Sequence, residues 1–365
     1  MDFVVHRIKE IAKLYSGGDA PEILSDVKTK ECCVPVFSNG ISQEGLYGYT
    51  NKAQILENAI TISARGTIGA VFYRREPFLP IVRLISLIPD TKIVSTEFLY
   101  YYLKSIHIDG FGTSQQQLTI PFLGKKKIKI IKDISTQKKI ASILSTYDDL
   151  IEKNNRKIAI LQEMAEEIYK EWFVRFRFPG YKTAKFYKGI PEGWEYGTIK
   201  DLGSFVRGKN ITADEMEEGD IPVISAGIEP SGFHNESNVQ GISLTISSSG
   251  ANAGFLRINY SDIWAADCSF LNDLENIFYM YELLNNMRPC IDNLQRGAAQ
   301  PHVYPKDINK LKIVLPPIQL RTKFNEIAKQ VHLTIATLQK QNKNLTQQRD
   351  LLLPRLMSGK LEVKA

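Results

Sequence analysis

The chain has 365 residues, of which 43% are hydrophobic and 24% charged, an ordinary balance for a folded protein of two or three domains. No apolar run approaches the roughly 18 residues of a membrane span, and the amphipathic N-terminus, MDFVVHRIKEIAK, has no signal-peptide character. The four cysteines, Cys32, Cys33, Cys268 and Cys290, form no C-x-x-C pair, so a cytoplasmic protein with reduced thiols and neither disulfide frame nor zinc site is expected.

The net charge of +6 points to a polyanionic partner. Residues 1–133, with 17 basic and 13 acidic side chains, come first. Their short β-branched runs, such as Ala59-Ile60-Thr61-Ile62, punctuated by Gly, Ser, Asn and Pro, predict strands and loops. A helix is expected over 96–106, where Glu97, Phe98, Tyr101 and Tyr102 cluster. Two loops stand out: Ser63-Ala64-Arg65-Gly66-Thr67-Ile68-Gly69, and Gly112-Thr113-Ser114 followed by Gln115, Gln116 and Gln117. Glycine lets backbone approach a phosphate, arginine pairs with guanine and glutamine with adenine, and Lys125, Lys126 and Lys127 suit phosphate contacts.

Residues 134–178 predict a long helix. Ile140, Leu144, Tyr147, Ile151, Asn154, Ile158, Leu161, Ala165, Ile168 and Trp172 alternate steps of four and three, the seam of a coiled coil. Pro179-Gly180 ends the helix, and 179–190 reads as a linker. Residues 191–317 resemble the first block but are acidic, with 9 basic and 17 acidic side chains. A strand is expected over 242–246 and a short helix over 276–288. The polar loops here contain Ser248, Ser249, Gly250 and Asn252, then Gly297-Ala298-Ala299-Gln300-Pro301-His302. Residues 318–365 form a second helix with the seam Leu320, Phe324, Ile327, Val331, Ile335, Leu338, Asn342, Leu345, Arg349, Leu352 and Leu356, and one extra residue between Val331 and Ile335. Pro354 lies near its end and is expected to kink the last turn.

The chain repeats itself. Pro35-Val36-Phe37-Ser38-Asn39-Gly40-Ile41 returns as Pro222-Val223-Ile224-Ser225-Ala226-Gly227-Ile228, and Thr61-Ile62-Ser63 as Thr245-Ile246-Ser247. Gly112 and Gln115 match Gly297 and Gln300. In the helices Ile158 and Leu161 match Asn342 and Leu345, and the order is kept throughout. The expected fold is α+β: two globular domains with twisted, mainly antiparallel sheets, separated by an antiparallel pair of long helices about a pseudo-twofold axis. Polar Asn154 and Asn342 in the seam suit a register-fixing role. From Ile140 to Trp172 is 32 residue steps, roughly 48 Å at about 1.5 Å each, against some 34–36 Å for one DNA turn.

No nucleotide-binding, metalloprotease, hydrolase-elbow or amino-methyltransferase motif is present. An adapter without a catalytic site is expected. Each polar loop alone also reads as a solvated turn; its presence in both copies, with different residues at the tip, points to two readers of different short sequences.

The architecture resembles the specificity subunit of type I restriction–modification systems over nearly the whole chain. The motifs that carry the resemblance are Ile190-Pro191-Glu192-Gly193-Trp194, the 63–69 loop, the 297–302 loop, Leu315-Pro316-Pro317-Ile318-Gln319, and Gln137-Lys138-Lys139-Ile140-Ala141-Ser142-Ile143-Leu144. Two departures are visible: the first unit lacks the Pro-Glu-Gly-Trp entry, and Gln115-Gln116-Gln117 stands where the second unit has Gln300-Pro301-His302. The resemblance implies two target recognition domains, each reading half of a split site in double-stranded DNA, two bound modification (methyltransferase) subunits and translocating restriction subunits. It implies no cofactor on this chain, with S-adenosylmethionine and ATP used by the partners. Two alternatives stay open: the recognition half of a different split methyltransferase-nuclease, and a coiled-coil scaffold that never touches DNA.

Overall fold

The structure is a computed structural model and describes residues 2–110, 116–272, 275–295 and 301–363. It divides into two compact units, residues 1–152 with 342–365, and residues 153–341. The units therefore group the chain differently from a cut at the helix starts, since each takes one globular part together with portions of both long helices.

In the first unit an antiparallel sheet runs in the order Ala12–Ser16, Ile85–Pro89, Ala59–Ile62, Val71–Arg74. A second sheet orders Leu46–Thr50, Val34–Phe37 and Leu79–Pro80, the last pairing being parallel. The strand Ala59–Ile62 is buried at every position because its two faces serve different cores. Ile60 and Ile62 join the large core with Ile11, Leu87, Phe98 and Leu99, whereas Ala59 joins Phe37, Ile55, Phe78 and Leu84.

The second unit repeats this topology. One sheet orders Val206–Arg207, Cys268–Leu271, Ser243–Ser247 and Leu256–Asn259, and the other Gly232–His234, Ile221–Ile224 and Trp264–Ala265, again with one parallel pairing. The mainly antiparallel α+β reading holds in both units. The short helices run Thr96–Lys104 and Ile277–Asn286. Each N-terminus receives a side chain from a long helix. Gln137, fully buried, accepts from the Ser95 amide at 2.8 Å and donates to the Ile131 carbonyl at 2.7 Å. Asn325 accepts from the amides of Phe278 and Tyr279 at 3.1 and 3.2 Å. These side chains satisfy amides that a helix start leaves open.

The long helices are Ile134–Tyr169 and Ile318–Met357. The first opens into a wider π turn over Lys170–Val174, and the second continues through Pro354. In the first unit Ile140, Ala141 and Leu144 pack with Leu353, Leu356 and Met357, and Arg349 pairs with Asp148, so the start of one helix runs antiparallel to the end of the other. In the second unit Tyr169, Trp172 and Phe173 close around Phe324, with ring centroids 5.8, 6.0 and 5.2 Å away. The named seam residues Ile151, Ile158, Leu161, Leu338, Asn342 and Leu345 are half-buried, and Asn154 is buried.

One seam position differs from expectation. Ile327 is exposed, while Ala328 is 1% exposed and sits in the core with Tyr169, Phe173 and Phe324. With Ala328 in the seam the extra residue disappears, and steps of four and three run unbroken from Phe324 to Leu356. Every seam residue from Ile140 to Trp172 then has its counterpart 184 positions on. The aromatic side chains around Phe324 fill the space, so the small side chain faces them and the large one faces out.

The 179–190 stretch is not structureless. Phe186–Tyr187 pairs with Ile190–Pro191 across a two-residue turn in which Lys188 and Gly189 have φ of 49° and 85°, the turn type that matches strand twist. Among the described residues no helix is long and apolar enough to cross a membrane.

Candidate nucleic-acid interface

The two polar loops of each copy, far apart in the chain, meet in the structure. In the first unit the Leu118 amide donates to the Ala64 carbonyl at 2.9 Å, and the Arg65 guanidinium donates to Gln117 Oε1 at 3.3 Å. In the second the Val303 amide donates to the Ser248 carbonyl at 3.0 Å, and the Gly250 amide to the Pro301 carbonyl at 3.1 Å. Ser249 and His302 form a β-bridge. Ala64 and Ser248, like Leu118 and Val303, are matching positions of the repeat, so the same backbone bond joins the loops in both units.

Within each loop the predicted residues divide. Ser63 and Ser248 are fully buried. Ser63 Oγ accepts from the Gly40 amide at 3.4 Å, and the Ser248 amide donates to the Asp267 carbonyl at 3.2 Å. They form the floor of the loops, with no surface to offer a base, and this corrects the expectation that they face DNA. Arg65 and Gly66 are exposed and Thr67 half-buried. Gly66 has φ of 66° and Gly250 has φ of 73°, left-handed conformations that glycine adopts without steric cost. Ser249, Gly250, Asn252 and His302 are half-exposed at the rim, with His302 stacked on Tyr304 at 6.1 Å.

Gln116 is exposed and Gln117 is engaged by Arg65. Gln115 and Gln300 lie outside the described residues. Lys125 is exposed, whereas Lys126 Nζ donates to the His107 carbonyl at 2.9 Å. That bond ties Lys126 to the segment beside Gly69, where an added Cβ would meet the Ile108 carbonyl at 2.6 Å.

Several supporting residues were not legible as site residues. Asn39 bridges two loops: its Oδ1 accepts from the Ala64 amide and its Nδ2 donates to the Val82 carbonyl, both at 2.7 Å. Arg74 is buried under the Phe37 ring, 3.6 Å from its centroid, and donates to Thr61 Oγ1 at 3.0 Å and to Glu44 at 3.2 Å. Burial pulls its pKa down to about 10, against the attraction of Glu44. Arg74 thereby clamps the turn in which Gln43 and Glu44 hold φ of 47° and 54°. In the second unit Asp267 takes the central place. It pairs with Arg207 at 2.6 Å and accepts from Ser249 Oγ. Burial pushes the neighbouring Cys268 thiol up to about 12, so it stays protonated and packs as a small apolar group.

The chain thus holds two copies of one α+β unit, each with a joined pair of polar loops beside its sheets. The chain belongs to the family described as the type I restriction modification DNA specificity domain, whose profile matches residues 1–163 and 191–347. It is 25% identical over 439 aligned positions to a type I restriction enzyme specificity subunit of Methanocaldococcus jannaschii, covering 100% of this chain and 94% of that one. A putative type I specificity subunit of Mycoplasma pneumoniae is 36% identical over 152 residues, 40% of this chain and 45% of that protein. The crystal structure of the type I restriction–modification S subunit from M. genitalium superposes with a TM-score of 0.68 at 22% identity, covering 98% and 96% of the two chains.

Proposed function

We propose that this chain is the non-catalytic DNA-reading subunit of a type I restriction–modification complex. Each unit reads one half of a split duplex site through its joined loops. The chain directs modification (methyltransferase) subunits, which use S-adenosylmethionine, and ATP-driven restriction subunits to that site. It carries no cofactor of its own.

One observation carries this reading: an equivalent backbone bond, Leu118 to Ala64 and Val303 to Ser248, holds the same two loops together in both units, while the residues at the tips differ. A common frame with different tips is what two independent readers need, because base identity is read by side chains and frame contacts carry no sequence information. Loop placement on a rigid scaffold is the usual arrangement of a binding surface.

The test is an exchange of residues 191–317 for the matching segment of a relative, followed by methylome sequencing of cells that also carry the modification gene. One half of the methylated motif should change and the other persist; a change in both halves rules out modular reading. The spacer between the halves should have a fixed length, set by the long helices. Adding one heptad to each helix where the two units meet in the chain, after Glu152 and after Gln341, keeps the seam in phase and should lengthen the preferred spacer. An unchanged spacer would assign the distance to something else. Duplex binding that is insensitive to salt would favour the scaffold reading over this one.

A further inference from the structure

Resting on the DNA-reading function above, we propose that Arg83 is a second base-reading residue of the first unit, working beside Arg65. No sequence motif marks it. The argument begins with the backbone. Val82 and Arg83 are consecutive non-glycine residues in the left-handed region, with φ of 52° and 60°. Such a conformation is sterically unfavourable for L-residues, is least tolerated by a β-branched side chain such as valine, and concentrates at functional sites.

The strained pair is held by four hydrogen bonds. The Val82 amide donates to the Gly18 carbonyl at 2.8 Å and the Arg83 amide to the Gly17 carbonyl at 3.0 Å. The Gly17 amide donates to the Leu84 carbonyl at 2.8 Å, and Asn39 Nδ2 binds the Val82 carbonyl at 2.7 Å. Gly17 is needed for this: a Cβ there would sit 2.8 Å from the Ile81 backbone. The result is an exposed Arg83 whose guanidinium has no hydrogen-bond or ion-pair partner among the described residues.

Asn39 also fixes where this arginine stands. Its two side-chain atoms hold the Ala64 amide and the Val82 carbonyl, so Arg65 and Arg83 each follow directly on a residue gripped by the same amide group. The second unit shows that the two positions are neighbours. Pairing of Ile62 with Ile85 and of Ile246 with Ser269 aligns Arg83 with Asp267, and Arg65 aligns with Ser249. There the two side chains touch, Ser249 Oγ donating to Asp267, and Arg207 neutralises the carboxylate. The first unit's turn is one residue longer, with Val82, Arg83 and Leu84 between Ile81 and Ile85 where the second has Asp267 and Cys268 between Ala266 and Ser269.

Thus a self-satisfied hydroxyl–carboxylate pair in one unit is replaced in the other by two arginines, with Asn39 supplying the brace that Ala226 at the matching position lacks. The major-groove edge of guanine offers one arginine fork two acceptors, O6 and N7. A phosphate contact tolerates a flexible side chain and needs no fixed origin, whereas a bidentate base contact does; the pinned turn favours the base.

The experiment uses the chain in complex with its modification subunits and a duplex library with randomised positions, sequencing what is retained. Wild type should enrich a split motif. Arg83→Lys keeps the charge but loses the bidentate fork, and should relax one base pair of the first half-site by about 5- to 150-fold while the second half-site, an internal control for folding, stays unchanged. Arg83→Ala should do the same and weaken binding further. An unaltered motif in both variants, or a uniform loss across all sequences as expected for a phosphate contact, overturns the proposal. A wild-type complex that enriches no motif instead refutes the DNA-reading function on which it rests.

Discussion

In the first unit Tyr101 donates to Asp148 at 2.6 Å, and Asp148 is paired with Arg349. One repeat on, 184 residues along the chain, His332 stands in the place of Asp148. It contacts Glu282 at 3.1 Å, with Tyr260 Oη 3.0 Å from the other ring nitrogen. The first cluster is partly wet, with Arg349 and Asp148 side chains 13% and 27% exposed; the second is dry, with both at 2%. The fold therefore tolerates a complete exchange of polar chemistry where a short helix meets a long one, provided that each cluster satisfies itself. In the packed cores the counterparts Ile140 and Phe324 are both apolar, because neither water nor a hydrogen bond can replace lost packing. Variation is thus permitted in the loops and in closed polar clusters, and the halves diverge in those places.

The largest effect that would test this division lies in the frame. Phe324, fully buried and ringed by Tyr169, Trp172, Phe173 and Tyr279, should lose about 3–5 kcal/mol on Phe324→Ala, and its counterpart Ile140 about 2–5 kcal/mol on Ile140→Ala. Urea unfolding would measure both. A cost below about 1 kcal/mol in either would mean that the two frames are not equivalent. Replacing exposed Ile327 by lysine should stay within about 0.5 kcal/mol, which would confirm Ala328 as the seam residue.

A smaller effect is expected at the rim. Arg65→Ala should reduce affinity for the cognate duplex by about 1–3 kcal/mol if it pairs with a base. Ser249→Ala should cost less, because its hydroxyl is already committed to Asp267. Fluorescence anisotropy at fixed salt would rank them, and the reverse order would undo the contrast between an arginine reader and a self-satisfied rim.

The smallest and most specific effect concerns pH. Burial raises the Glu282 pKa above its ordinary value, partly opposed by the hydrogen bond and charge of His332. A raised folded-state pKa means that the native state holds this proton more tightly than the unfolded chain. Its contribution to stability is full below the unfolded value, about 4.3, and declines as pH rises through the folded-state value. Glu282→Gln cannot ionise and should lose that decline, so the variant gains on wild type between pH 4 and pH 7. Unfolding midpoints that run parallel over that range would show that the carboxyl is not burdened by burial. The Asp148 cluster provides the contrast, being open to solvent and closed by an arginine.

The repeat, both long helices, most of the seam and the two loop pairs were determined by the sequence alone, because period, glycine placement and ordered self-similarity are local properties that survive without coordinates. Loop residues were read as exposed because they are polar, yet Ser63 and Ser248 lie on the loop floor, a distinction that depends on what packs beneath them. Hydrophobicity favoured Ile327 over Ala328, and only the crowded rings around Phe324 reversed that choice. Asn39, Val82 and Arg83 are undistinguished in sequence; their meaning came from a side-chain amide that bridges residues 64 and 82, and from a left-handed turn that no composition encodes. Tertiary structure decided these points because each depends on contact between segments tens of residues apart, where the free energy of a side chain is set by its neighbours in space.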